Sequence, residues 1–354
     1  MQTEAAILWE QRTDWIVEPI ELDPPKVGEV LVKLAASGMC HSDEHMVTGD
    51  LPGALPIIGG HEGAGIVEEV GPGVTELAPG DHVVFGFIPA CGKCPPCSTG
   101  HSNLCDVGGT LMAGRQIDGT ARHHARGKDL AIMVCLGTFG KYTVVNQASC
   151  VKILDDIPLD KACLVGCGVT TGWGSFVYAA DVRPGDNVAV IGVGGIGASA
   201  LQGARLAGAE RIFAIDPVEL KRTLAPRFGA THTAASIDDA FALVREETWG
   251  RMCDKVICAH RQERTGRGDQ HPSHGRRRRQ VEPAGPDPFR ETDRRQQLWL
   301  RQHPIRHSQA SEALSGRPAR PRLDDHRDLQ VGRHQPGVPG HAGRQNIRGV
   351  LLYD

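Results

Sequence analysis

Four of the eleven cysteines crowd into one stretch, Cys91-Gly92-Lys93-Cys94-Pro95-Pro96-Cys97, closed by Cys105. The pattern C-x2-C-x2-C-x7-C can wrap four thiolates around one tetrahedral Zn²⁺. Gly92 and Pro95-Pro96 favour the tight turns that such a wrap needs. A ferredoxin-like iron–sulfur cluster also uses closely spaced cysteines, but the wide last gap and the lack of a second such run count against it. Four protein ligands close the site to substrate, so its expected job is to hold a loop. Lys93 and His101 lie nearby without an assigned role.

Three further candidate ligands are scattered. They are Cys40 in Gly38-Met39-Cys40-His41-Ser42-Asp43, His61 in Gly59-Gly60-His61-Glu62-Gly63-Ala64-Gly65, and Cys167 in Val165-Gly166-Cys167-Gly168-Val169-Thr170-Thr171-Gly172. Two cysteines and one histidine leave a fourth metal position open, the requirement for a catalytic zinc. Taken singly, each has a plainer reading: either cysteine as a small buried apolar residue, the histidine as a satisfied core group.

A different chemistry begins at Asn187. The run Asn187-Val188-Ala189-Val190-Ile191 reads as a buried strand, Gly192-Val193-Gly194-Gly195-Ile196-Gly197 follows at once, and Ala198 to Ala207 has helix-forming character. G-x-G-x-x-G alone is a weak signal. Between a strand and a helix it is a strong one, because backbone amides and the helix N-terminus then meet a pyrophosphate. A second strand, Arg211-Ile212-Phe213-Ala214-Ile215, ends in Asp216, nineteen positions beyond Gly197. An acid there suits an adenosine ribose and repels a 2′-phosphate, which favours NAD over NADP. Asp216 as a solvated strand-end acid is the plainer alternative.

Together these motifs resemble those of the zinc-dependent medium-chain alcohol dehydrogenases, with Gly-His-Glu-Gly-x-Gly the most specific of them. Their order and wording are most similar to the nicotinoprotein, NDMA-dependent branch. The resemblance runs from Lys33 to about Asp216 and resumes at Asn346. It implies an α/β fold: a GroES-like β-rich catalytic domain followed by a Rossmann doubly wound parallel sheet. It also implies two zinc ions per subunit, NAD, a small alcohol or aldehyde as substrate, and a homo-oligomer.

Carried over position by position, the resemblance assigns Cys40, His61 and Cys167 to the catalytic zinc and Cys91, Cys94, Cys97 and Cys105 to the structural one. Glu62 would sit behind the metal and exchange with a ligand, while Asp43 would fix the His61 tautomer. Ser42 would take the substrate proton and His45 would pass it to solvent, although a solvated histidine is a common alternative. The cofactor would meet His41, Thr171, Gly192, Gly194, Gly195, Gly197, Asp216, Lys221 and Arg348, the last on its pyrophosphate. Many relatives carry arginine where His41 stands. Cys163 is read as a packing residue. The reaction implied is hydride transfer between an alcohol and NAD.

The bulk composition agrees with an enzyme of this kind. The chain has 354 residues, enough for two domains, with 40% hydrophobic residues, 44 glycines and a net charge of -3. That charge gives no pull toward nucleic acid or membrane, and no apolar run reaches a bilayer-spanning length. Met1-Gln2-Thr3-Glu4 lacks the basic start of a signal peptide, so a cytoplasmic location is expected.

The character changes after Cys258. From Arg261 to Gln345 there are eighteen arginines, no lysine, cysteine, methionine or tyrosine, and Ile305 as the only isoleucine. Expected domain limits are therefore 1–168 for the GroES-like part and 169–258 for the first half of the dinucleotide domain. Residues 259–345 read as aberrant and structureless, and 346–354 as a remnant of the family C-terminus. Arginine without lysine is what a GC-rich gene yields when read out of frame. Sliding the codons of His334 to Gly343 by one base permits Ile-Asn-Gln-Gly-Tyr-Gln-Asp-Met-Leu-Ala, a family-like string. A disordered insert and a nucleic-acid-binding arm centred on Arg276 to Arg279 are the competing readings. The second half of the parallel sheet, and the strand that pairs subunits in the family, are not legible in this stretch. Among enzymes, thiol-linked formaldehyde oxidation is the nearest rival, because the loop from Gly108 to Gly140 resembles that of both branches.

Overall fold

The computed structural model describes residues 1–259, 329–330 and 347–353. The N-terminal half is built on the long strand Glu29–Met39, whose alternating apolar residues feed a core of Val30, Val32, Leu34, Val67, Val83, Phe85, Leu136 and Val145. It pairs antiparallel with Glu62–Val70 along one side. Along the other side it changes partner: Glu29 to Lys33 pair with Tyr142–Asn146, and Ala36 to Met39 pair with the C-terminal strand Gly349–Leu352. Register shifts in the pairing with Glu62–Val70 fall between Leu31 and Val32 and between Leu34 and Ala36. A second sheet carries Gln2–Leu8 and Ile16–Leu22 as an antiparallel pair.

The register of these strands places the chemistry. Gly38 sits opposite Glu62. The chain leaves the strand at Met39 into Cys40, and enters the neighbouring strand from His61. Antiparallel pairing therefore sets Cys40 and His61 side by side at one end of the sheet.

The second half is a four-stranded parallel sheet in the order His232–Ala234, Arg211–Ile215, Asn187–Ile191, Lys255–Cys258. Helix Gly195–Leu206 covers one face through Ala198, Leu201 and Ala204, and helix Ile237–Glu247 covers the other through Ala240 and Val244. Ser236 caps the latter, its hydroxyl accepting from the Asp239 N–H at 3.1 Å. Both faces being covered explains the near-continuous apolar runs of these strands. The expected α/β architecture, a β-rich domain followed by a doubly wound sheet, is present.

The two halves join through helix Gly168–Gly174, which follows Cys167 and packs on helix Gly195–Leu206. A Cβ on Gly172 would fall 2.2 Å from the Ile196 carbonyl oxygen, so this close approach requires glycine. The C-terminal strand also ties the halves together. Ile347 packs against the dinucleotide-domain core, whereas Val350 and Tyr353 pack on the catalytic domain.

The stretch expected to be aberrant, 259–345, lies outside the described residues apart from Ala259 and Leu329–Gln330, a two-residue strand parallel to Leu351–Leu352. No single helix among the described residues is long and apolar enough to cross a membrane.

Candidate active site and metal centres

Cys91, Cys94, Cys97 and Cys105 come together with their sulfur atoms within 4.8 Å of one another. Gly92 adopts φ +74°, and Pro95 starts a short helix capped by Cys94. The Cys91 N–H donates to Cys105 Sγ at 3.4 Å, and Cys94 Sγ lies 3.8 Å from Cys105 Sγ. Hydrogen bonding from the Lys93 backbone N–H holds the Cys91 thiol down at about 6, while burial pushes Cys97 up to about 12. A single electron-rich pocket of this kind fits one tetrahedral cation.

The second cluster joins residues from three distant segments. Ligand atoms of Cys40, His61, Glu62 and Cys167 all lie within 4.8 Å of one another. Cys167 reaches the group from the kink between the turn Cys163–Gly166 and helix Gly168–Gly174. Gly166 permits this, since a Cβ there would meet the Phe85 carbonyl oxygen at 2.3 Å. Cys163 is buried and its thiol donates to the Asp160 carbonyl at 3.4 Å, which agrees with a packing role.

Asp43 organises both ligand loops. Its Oδ2 accepts from the Cys40 N–H at 3.0 Å, and its Oδ1 accepts from the Gly60 N–H at 3.1 Å and faces His61 Nδ1 at 3.4 Å. Burial works against a charge on His61, yet the Asp43 carboxylate and Cys40 together raise the proton affinity of the ring. A hydrogen bond between Cys40 and Cys167 holds Cys40 well below the usual thiol range and pushes Cys167 well above it. A bound cation would hold both sulfurs as thiolates.

Glu62 is fully buried, and burial raises its proton affinity. Its Oε1 accepts from the Gly168 N–H at 3.1 Å and pairs with the Arg348 guanidinium, while Oε2 has no hydrogen-bond partner among the described residues. Gly38 makes room for it: a Cβ there would lie 2.2 Å from Glu62 Oε2. The resemblance assigned Arg348 to a pyrophosphate. The structure sets it on Glu62 and, at the same time, against Gly195, where a Cβ would meet Arg348 Cδ at 2.9 Å.

Ser42 and His45 share helix His41–Thr48 but meet different partners. Cys40 Sγ lies 3.7 Å from Ser42 Oγ, whereas His45 Nδ1 faces Asp50 Oδ2 at 3.4 Å. The expected Ser42-to-His45 proton path is therefore not preassembled by direct contact. The His41 ring sits edge-on to His45 with centroids 4.8 Å apart.

The dinucleotide loop has the expected division of labour among its glycines. Gly192 takes φ +92°. A Cβ on Gly197 would strike the Gly192 carbonyl oxygen at 1.9 Å, whereas one on Gly194 would meet nothing within 4 Å, leaving the backbone open to a ligand. Asp216 accepts from the Val193 N–H at 2.8 Å and the Val218 N–H at 2.9 Å, which anchors its carboxylate beside this loop. Lys221 Nζ lies 3.9 Å from Asp216 Oδ2. Thr171 stands one helical turn beyond Cys167, its N–H donating to the Cys167 carbonyl at 2.9 Å.

Several supporting residues have no local sequence signal. Arg122, fully buried, pairs with Glu29 at 2.7 Å and Asp118 at 2.7 Å. Ser37, Thr138 and Tyr353 form a small hydrogen-bonded group behind Gly60. Only the folded arrangement of distant strands brings such residues together.

Comparison with known proteins agrees with this geometry. Residues 26–155 match the family model described as the alcohol dehydrogenase GroES-like domain. Alcohol dehydrogenase B of Mycobacterium tuberculosis (strain CDC 1551 / Oshkosh) is 55% identical over 259 residues, 73% of this chain and 69% of that protein. The NDMA-dependent alcohol dehydrogenase of Amycolatopsis methanolica is 52% identical over 257 residues, 73% of this chain and 69% of that one. Among solved structures, an alcohol dehydrogenase zinc-binding domain protein from Burkholderia ambifaria aligns with TM-score 0.68 at 35% identity, over 73% of this chain and 70% of that chain. With relatives this similar over more than two thirds of their length, the chain belongs to the zinc- and NAD-dependent medium-chain alcohol dehydrogenase family.

Proposed function

We propose that this protein interconverts a primary or secondary alcohol and its aldehyde or ketone, moving hydride to or from NAD, with two zinc ions per subunit. One observation carries this reading: the Cys40–His61–Cys167 cluster is joined to the glycine loop through Arg348, which touches both Glu62 and Gly195.

The residues fit the groups they would hold. Two thiols and an imidazole, with a buried carboxylate oxygen left without a hydrogen-bond partner among the described residues, form a donor set suited to zinc. The open space at Gly194 and the anchored Asp216 suit a dinucleotide without a 2′-phosphate. When bound, zinc supplies Lewis acidity toward an alcohol oxygen and NAD supplies the hydride acceptor. The protein does the rest. Asp43 holds His61 in orientation, and Glu62 with Arg348 keeps a compensated charge behind the cluster. Ser42 Oγ, beside Cys40, accepts the substrate proton. His45, on the same helix, would pass that proton on to solvent. The four-cysteine lobe holds its loop in place.

The test is a metal count and an assay on the purified chain, with NAD and with NDMA as acceptors over a panel of alcohols. Two zinc ions per chain and alcohol-dependent turnover are expected, and Cys40→Ser should lose the turnover and one zinc. Full turnover in Cys40→Ser would refute the assignment. The composition of 261–345 supports a shifted reading frame there, which resequencing the gene decides. A chain with two zinc ions and no turnover would point to damage beyond Cys258 rather than to a different function.

A further inference from the structure

We infer that Tyr353 is a positioning residue for the His61 metal ligand, acting through Thr138. The inference rests on the reading that Cys40, His61 and Cys167 hold zinc.

The path is short and fully specified. The Tyr353 hydroxyl donates to the Thr138 carbonyl oxygen at 2.7 Å. The Thr138 N–H donates to the Gly60 carbonyl at 3.1 Å, and the Phe139 N–H to the Gly59 carbonyl at 2.9 Å. Gly60 is the residue before His61. Thr138 is fully buried, and its Oγ1 forms a 2.6 Å hydrogen bond with Ser37 Oγ. It also fills the space on both sides of the ligand. A Cβ on Gly60 would come within 2.5 Å of Thr138 Oγ1, and one on Gly63 within 2.7 Å of Thr138 Cγ2.

The Gly60–Glu62 turn is consequently gripped from two directions. Asp43 holds it from the helix side through the Gly60 N–H and His61 Nδ1. Thr138 holds it from the sheet side through the Gly60 carbonyl. Gly60 has φ +85°, a conformation with no side chain of its own to stiffen it, so the turn depends on these outside contacts. Burial pushes the Tyr353 phenol well above its usual range, so it remains a donor at any working pH. Removing the hydroxyl leaves the Thr138 carbonyl without this partner and loosens one of the two grips. Small errors in the placement of a ligand's supporting groups are expressed as weaker metal retention.

Arg348, immediately before the strand Gly349–Leu352, pairs with Glu62, and Tyr353 follows immediately after it, so the two flanks of one four-residue strand steady the turn at both Glu62 and Gly60.

The test compares zinc release to EDTA from the purified holoprotein and from Tyr353→Phe, which keeps the ring and removes only the hydroxyl. Cys40→Ser and Cys94→Ser identify which release phase belongs to which site. Tyr353→Phe should release zinc from the Cys40–His61–Cys167 site about tenfold faster, as for loss of one buried hydrogen bond, with the four-cysteine phase unchanged. Ser37→Ala, which removes the other hydrogen bond to Thr138, should shift the same phase in the same direction and serves if Tyr353→Phe does not fold. Equal rates in variant and wild type, or acceleration of both phases alike, would overturn the inference. A wild-type chain showing only the four-cysteine phase would overturn the metal assignment and the inference together.

Discussion

The guanidinium of Arg348 pairs with the carboxylate of Glu62, so a residue at the start of the C-terminal strand neutralises the buried charge behind the ligand cluster. Arg348→Met would leave Glu62 buried without its cation. Losing one partner of a buried ion pair costs about 3–5 kcal/mol. Urea unfolding of the metal-loaded protein should show a loss of that order, and a loss below about 1 kcal/mol would mean that the pair behaves like an exposed one.

Asp43 serves three acceptor contacts at once, on Cys40, Gly60 and His61. Asp43→Ala removes all of them without touching a ligand. Affinity at the Cys40–His61–Cys167 site should fall about 10–100-fold, the usual cost of losing such a support. Competition with a chromogenic chelator measures this, and the four-cysteine site should keep its zinc.

The Arg122–Glu29 pair is buried and bidentate, with Arg122 Nε and Nη2 on the two Glu29 oxygens at 2.8 and 2.7 Å. Arg122→Met alone should destabilise by about 3–5 kcal/mol because it strands Glu29. The double change Arg122→Met with Glu29→Leu should cost less than the single one. Chemical denaturation of the set checks the ordering, and simple addition of the two single effects would argue against coupling.

His123 gives a pH signature. Thr143 Oγ1 donates its proton to the Leu136 carbonyl at 2.7 Å, so at 3.3 Å the His123 Nε2 must be the donor to Thr143, the neutral tautomer. Burial, reinforced by His124 and Arg122, holds its pKa down at about 3 against an ordinary 6.5. The unfolded chain therefore binds a proton between those values that the folded chain refuses. Stability is unaffected by this group above pH 6.5 and falls as pH drops from there toward 3. The slope is about 1.4 kcal/mol per pH unit for one proton. His123→Phe should flatten that part of the thermal-stability profile; an unchanged slope would assign it to other groups.

The parts of the site that were legible in the sequence are those whose chemistry forces a local pattern. Tetrahedral thiolate binding leaves its C-x2-C spacing at Cys91 to Cys105, and pyrophosphate approach leaves its glycines at Gly192 to Gly197. The strands behind them were readable for the same reason, since one buried face alternates and two buried faces do not. The resemblance implied the hold of Asp43 on His61, but nothing in the sequence marked its grip on Gly60. Arg348 was matched to a cofactor role, whereas its pairing with Glu62 depends on where the C-terminal strand docks. Ser42 and His45 were named as a relay, yet the helix gives each its own partner. Arg122, Thr138 and Tyr353 were invisible, because their partners lie 93 and 215 positions away for the Glu29 and Tyr353 contacts. Nothing periodic marks such pairs.

The docking of Gly349–Leu352 onto Ala36 to Met39 also makes the metal-site turn depend on a segment far away in the sequence. A covalent tether acts on its two ends as an effective concentration. Cutting that tether would turn an intramolecular association into a bimolecular one, and the metal-site turn would then depend on how much of the free C-terminal peptide was present.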